Sequence, residues 1–228
     1  MKNKKLRIFL SILFIITGII ILFLPNISSK VIEKRTKKNV ETVENIDAEK
    51  LQDNLDREST FDFDSIREIS PSKTFSPSKN IDEDLILGRL FIPSIDLNLS
   101  LYNGVTNEIL HAGVGTMRPN LEMGKGNFPI AGHYSKNKKA LFGNLTAVHP
   151  GDLVYLTDNE TIYEYTVYDT KVVEPDEIQY IKDQQAKDHG KAILSLMNCY
   201  YVDGKYTDKR YFVFAELSNS SPTNLENK

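Results

Sequence analysis

Ala192-Ile193-Leu194-Ser195-Leu196-Met197-Asn198-Cys199 is a short apolar run that ends on the only cysteine of the chain. Eleven positions on, Arg210 opens a second run, Tyr211-Phe212-Val213-Phe214-Ala215. Both read as strands: short, apolar, and rich in β-branched or aromatic side chains. One thiol then stands at the tip of a buried strand and one guanidinium at the start of the next. The same texture extends outward from this pair. Leu87 to Pro93, Leu97 to Tyr102, Phe128 to Ala131, Leu153 to Leu156, Thr161 to Tyr168 and Thr170 to Val173 all read as strands, punctuated by Gly, Pro, Asn and Asp. Helical material is sparse, with a turn or two around Asn107 to His111 and a short piece from Leu141 to Leu145. About eight short strands predict a mostly β domain over residues 85–218, as a single closed barrel or a sandwich. That length buries a core without disulfides, as a chain with one cysteine must.

The N-terminus reads differently. Lys2, Lys4, Lys5 and Arg7 precede an apolar run from Ile8 to Leu24. At about 17 residues the run is at the lower limit for crossing a bilayer as a helix. No small-residue cleavage site follows it, so residues 1–25 read as a basic tip and a retained single-pass anchor. The basic flank predicts a cytoplasmic N-terminus, with the β domain on the extracellular side. Lys30, Lys34, Arg35, Lys37 and Lys38 beyond the run weaken that asymmetry. Residues 26–84 are polar, with Val40, Val43, Ile46, Leu51 and Leu55 at rough helical spacing. They end in the Ser/Pro/Lys stretch Ser70 to Lys79. This is a partly helical stalk, whose apolar face is expected to dock only loosely on the domain. Residues 219–228 read as a disordered tail.

Charge and motifs exclude several classes. The formal net charge of -3 comes from 28 bases and 31 acids, with no basic stripe, so nucleic acid is not an expected partner. No Cys/His cluster has metal-ligand spacing, and no glycine-rich phosphate cradle is present. An extracellular lone thiol is then either packing or chemistry. As a nucleophile it needs a base and a group to hold the developing oxyanion. Of the four histidines, His111, His149 and His189 sit in turns or beside a helical stretch and read as ordinary surface residues. His133 follows the strand Phe128 to Ala131 through Gly132, placed to meet another strand-end side chain.

Three segments together resemble the class A sortases, membrane-anchored cysteine transpeptidases of Gram-positive bacteria. They are Leu194 to Cys199, Ile130-Ala131-Gly132-His133, and Asp208 to Glu216. Leu87 to Pro93, Leu110 to Met117 and Gly151 to Leu156 extend the likeness over essentially all of residues 85–217. The resemblance implies an eight-stranded closed β-barrel. It also implies a reaction in which Cys199 attacks the Thr–Gly carbonyl of a Leu-Pro-X-Thr-Gly signal in a secreted protein. An amine of a lipid-linked peptidoglycan precursor then resolves the thioacyl enzyme. His133 would be the proton donor and acceptor, and Arg210 the transition-state stabiliser.

By the same likeness, Ile178, Tyr180 and Ile181 form an apolar slot for the signal, with Ala131 and Met197 on its floor; the competing reading is plain barrel core. The family's Thr-Leu-X-Thr-Cys reads here Ser195-Leu196-Met197-Asn198-Cys199, so Ser195 and Asn198 are expected to shape the groove. Some members bind calcium through acids in the loop before the histidine strand. Here Arg118 to Asn127 offers only Glu122, so neither a metal nor any other cofactor is expected. No Asp-Pro-aromatic lid precedes the barrel, which favours general anchoring over pilin polymerisation. The alternative is a catalytically inactive barrel of the same fold, acting as a surface binding module.

Overall fold

The computed structural model describes residues 2–63 and 82–223; the Ser/Pro/Lys stretch and residues 224–228 of the tail lie outside the described residues. The strands are β1 (Ile86–Ile92), β2 (Leu97–Tyr102), β3 (Val114–Thr116), β4 (Asn127–Gly132), β5 (Leu153–Thr157), β6 (Thr161–Val173), β7 (Ile193–Val202) and β8 (Lys205–Pro222). They form a closed barrel in the order β1-β2-β3-β4-β7-β8-β6-β5, with β5 pairing back onto β1. Closure leaves no unpaired sheet edge.

Side-chain alternation fills the barrel. Phe128 and Ile130 on β4, Leu194 and Leu196 on β7, and Tyr211, Val213 and Ala215 on β8 all belong to one buried core. Each such large apolar side chain contributes roughly 1.5–3 kcal/mol when fully buried. The alternate residues face outward. Ala131 and Met197 join a second cluster, and Phe212 and Phe214 a third. Every residue of β4 is buried, because its outer face is covered as well.

Four details depart from the sequence reading. Thr161 to Val173 is one strand, with a register shift against β8 between Val167 and Asp169 that breaks the alternation in two. β3 was not legible, since three residues carry no period. Leu141 to Leu145 is not helical: Leu141 has φ 50°, and only Leu145–Ala147 forms a 3-10 turn. β8 continues to Pro222, into the segment expected to be a disordered tail.

The N-terminal region holds the largest difference. Helix α1 (Lys2–Glu44) is uninterrupted, and Lys4–Leu24 is long and apolar enough to cross a membrane, with none of it buried in the fold. Beyond that stretch, Ser28, Ile32, Thr36, Val40 and Val43 are buried at helical spacing, while Glu33, Lys34, Lys37, Lys38 and Glu41 face outward. The buried stripe packs on β1, β2 and α3 (Asn107–Ala112). Helix α2 (Ala48–Asp53) follows, and its Leu51 is fully buried. Asn54 donates from Nδ2 to the carbonyls of Ile86 at 2.8 Å and Glu83 at 3.0 Å. Phe61 then bridges Val105 in parallel. Loose docking is thus replaced by a close fit, because the apolar positions are backed by hydrogen bonds to barrel backbone.

Candidate active site

Strand register assembles the site. β4 and β7 are parallel, and Ala131 lies opposite Met197. Two residues further along the same directions stand His133 and Cys199, at one height and on the outward face. Adjacent strands are about 4.8 Å apart, so the two side chains come within reach of each other. On the other side of β7, Cys199 is the cross-strand partner of Arg210, and paired residues face the same way. Cysteine, histidine and arginine are thus carried by neighbouring strands, with the thiol in the middle and partly exposed. Cys199 and Arg210 lie within β7 and β8 rather than at the strand tip and strand start the sequence suggests, because the two strands run on into their hairpin.

His133 is buried just past the end of β4. Its carbonyl accepts from Phe142 N at 3.0 Å. The Phe142 carbonyl in turn accepts from Asn198 Nδ2 at 3.0 Å. Asn198, the residue before Cys199, is thus tied to His133 through the backbone of Phe142. Gly132 permits this closeness, since a Cβ there would lie 2.4 Å from the Phe142 ring. On its other flank the His133 ring packs on the ring of His111, with centroids 4.9 Å apart and planes tilted by 43°.

Arg210 opens from a tyrosine-rich hairpin. Its Nη1 donates to the carbonyl of Asp208 at 2.7 Å, that of Lys209 at 3.2 Å, and Tyr206 Oη at 3.2 Å. Lys209 turns away to Glu174, with Nζ–Oε1 2.7 Å. The hydrogen bond and charge of Glu174 raise the Lys209 ammonium above its ordinary range. Of this pair, Arg210 is the cation on the strand position paired with Cys199. Tyr134, next to His133, stacks on Tyr201 at 4.0 Å, and Tyr201 meets Tyr206 at 5.5 Å. An aromatic row follows the mouth of the site.

The expected substrate residues divide. Ala131, Met197 and Ile181 meet in one apolar cluster beside Cys199. Ile178 projects into solvent at 55% exposure. Tyr180 packs on Phe212 and Phe214 and bonds Lys171. The 3-10 turn Ile178–Ile181 is pinned from below: Asn127 Nδ2 donates to the Tyr180 carbonyl at 3.0 Å, and Arg118 Nε to that of Ile181 at 3.0 Å. Ser195 shares the outward face of Cys199 but is fully buried, donating to Asn127 Oδ1 at 2.8 Å. Asn198 is 1% exposed and points into the barrel with Leu194 and Leu196. The expectation that Asn198 shapes the groove is corrected by the two-residue period of β7, which turns it to the opposite side from the thiol. Ser195 thus holds Asn127 under the 3-10 turn, and Asn198 holds Phe142 from inside the barrel.

His111, Phe142, Asn127 and Arg118 were not legible as site residues. Each acts through a contact distant in sequence, and no local pattern marks it.

The sortase domain model matches residues 90–218. Sortase A of Listeria monocytogenes is 34% identical over 96% of this chain and 96% of its own. Sortase A of Bacillus anthracis is 31% identical over 95% and 97%. A crystal structure of the Listeria monocytogenes protein is 36% identical to this chain, with a TM-score of 0.56 over 62% of it and 93% of that protein.

Proposed function

This chain belongs to the sortase family, as a class A cysteine transpeptidase, and from that membership we propose that it cleaves Leu-Pro-X-Thr-Gly sorting signals between Thr and Gly. The acyl group goes to an amine of a lipid-linked peptidoglycan precursor. The observation that carries this reading is the register that sets Cys199 between His133 and Arg210.

Each role follows from the chemistry of the group. The Cys199 thiolate attacks the threonine carbonyl carbon, forming the C–S bond and a tetrahedral oxyanion. Arg210 stays charged at every relevant pH, and its planar fork donates to that oxyanion and to the signal's backbone. As the C–N bond breaks, the His133 imidazolium gives its proton to the departing glycine nitrogen. His133, now neutral, takes a proton from the incoming amine, which attacks the thioester and expels the Cys199 thiolate. The enzyme ends as it began, with one amide exchanged for another.

The apolar cluster of Ala131, Met197 and Ile181 suits the Leu-Pro portion of the signal. The span Lys4–Leu24 supports membrane attachment, and its basic flank supports a cytoplasmic N-terminus. Calcium independence is part of the proposal: the single acid of the 118–127 loop, Glu122, is paired with Lys125 at 2.5 Å.

The test is to incubate the protein with Leu-Pro-X-Thr-Gly peptides, varied at X, and an amine acceptor, and to follow adduct and exchanged product by mass spectrometry. Wild type forms both, equally well in chelator; Cys199→Ala and His133→Ala each lose both. Absence of adduct across all X overturns the reading. Activity that collapses in chelator and returns only with calcium overturns the calcium claim.

A further inference from the structure

The geometry points to His111 as a positioning residue for His133, held in place by the helix that joins the apolar N-terminal stretch to the barrel. The inference rests on the transpeptidase reading above, in which His133 moves the proton.

His133 lies just beyond the last paired residue of β4, Gly132. Its backbone is held by Phe142. The ring of His111 is packed against its ring, with centroids 4.9 Å apart. Errors of about 1 Å at a reacting group cost up to roughly 100-fold in rate. A ring contact on the imidazole therefore bears on how accurately it meets the reacting atoms.

His111 sits in the last turn of α3, a helix capped by Thr106, whose side chain accepts from Ile109 N. That helix does not stand alone. Asn39 of α1 donates from Nδ2 to the carbonyl of Ala112 at 3.1 Å, one residue beyond His111. Ile109 and Leu110 share a buried cluster with Val43 of α1 and Leu51 of α2. Ala131 belongs to the same cluster, and Met197 and Ile181 pack against it. The helix outside the barrel and the floor of the site thus rest on the same apolar mass. Through α3 the N-terminal helix reaches the ring that reaches the general acid–base. On this view α1 is a working part of the catalytic unit rather than a spacer.

The test uses the full chain in detergent micelles, with Leu-Pro-X-Thr-Gly peptides as donor and hydroxylamine as acceptor. Thermal melts run alongside. His111→Ala is expected to lower kcat by about ten- to a hundredfold and to leave KM for the peptide essentially unchanged. His111→Phe, which keeps a flat ring, is expected to restore most of kcat. Asn39→Ala is expected to lower kcat in the same sense by a smaller factor. If His111→Ala unfolds the chain, the Phe and Asn39 variants carry the test. Wild-type kcat in His111→Ala overturns the inference, as does a loss carried wholly in KM. His111→Phe as impaired as His111→Ala also overturns it, because that result assigns the imidazole a chemical role rather than a positional one. Wild-type kcat in Asn39→Ala removes α1 from the unit. A wild-type enzyme without thioacyl adduct overturns the transpeptidase reading itself, a separate and recognisable failure.

Discussion

Asn198 stands where the family pattern has threonine, and its side chain is turned away from the chemistry. Its Nδ2 holds the Phe142 carbonyl inside the barrel wall, and Phe142 N holds the carbonyl of His133. Removing this donor leaves the Phe142 carbonyl with its longer bond from Leu145 N at 3.3 Å, so the loss is that of one net hydrogen bond, about 0.5–1.5 kcal/mol. Asn198→Ala is therefore expected to lower the unfolding free energy by that amount, seen as a lower urea midpoint at unchanged slope, and a midpoint equal to wild type would dismiss the tie. The sequence singles out this position because it departs from a motif. The face it occupies follows from the two-residue period of β7, counted from the outward Cys199. Such counting assigns Leu194, Leu196 and Asn198 to one side and Ser195 and Met197 to the other. It does not show that the outward side is itself covered, as it is over Ser195.

Among the elements, the barrel strands were legible because their apolar runs are long enough to show a period. The sequence suggests Cys199, His133 and Arg210 from residue type beside an apolar run; in the structure only His133 follows a strand end, with Cys199 inside β7 and Arg210 inside β8. What closed to the reader was contact between distant elements: β3 at three residues, the joined β6, and the docking of α1. Val40 and Val43 show helical spacing in the sequence, but spacing does not say what the apolar face meets. In the structure Val43 is fully buried against the cluster that includes Tyr102, Val105 and Ile109. Burial there also pushes the Tyr102 phenol up to about 12, so it stays neutral. A carboxylate at position 43 has no partner in such surroundings. Val43→Asp is expected to cost about 3 kcal/mol or more, seen as a lower melting temperature. Protease would then cut between α1 and β1. An unchanged melting temperature would mean that the helix adds nothing to the fold.

At the scale of the whole molecule, a closed barrel with one thiol depends on non-covalent ties, among them one where its longest strand passes the start of β7. Glu216 of β8 accepts from Lys191 at 2.6 Å and pairs with His189 at 2.7 Å. These partners, Lys191 first, lower its carboxyl below the ordinary 4.5. A folded value below the unfolded one means that the stabilisation is complete above the ordinary carboxylate range. It is lost as pH falls through the folded value. The cluster is partly exposed, so the effect stays within about 1 kcal/mol. Glu216→Gln is expected to lose a little stability near neutrality and none in strong acid. Urea midpoints at the two pH values check this, and a constant deficit at both would contradict it. The uninterrupted helix α1 has a different consequence for the assembled protein. From Leu24 to Glu44 it rises by about 30 Å and turns by about 100° per residue. Because the barrel grips one stripe of that helix, the number of residues between the apolar stretch and the stripe sets a compass bearing. One residue more or fewer would swing the catalytic groove through more than a quarter circle, while seven would return it nearly to its heading.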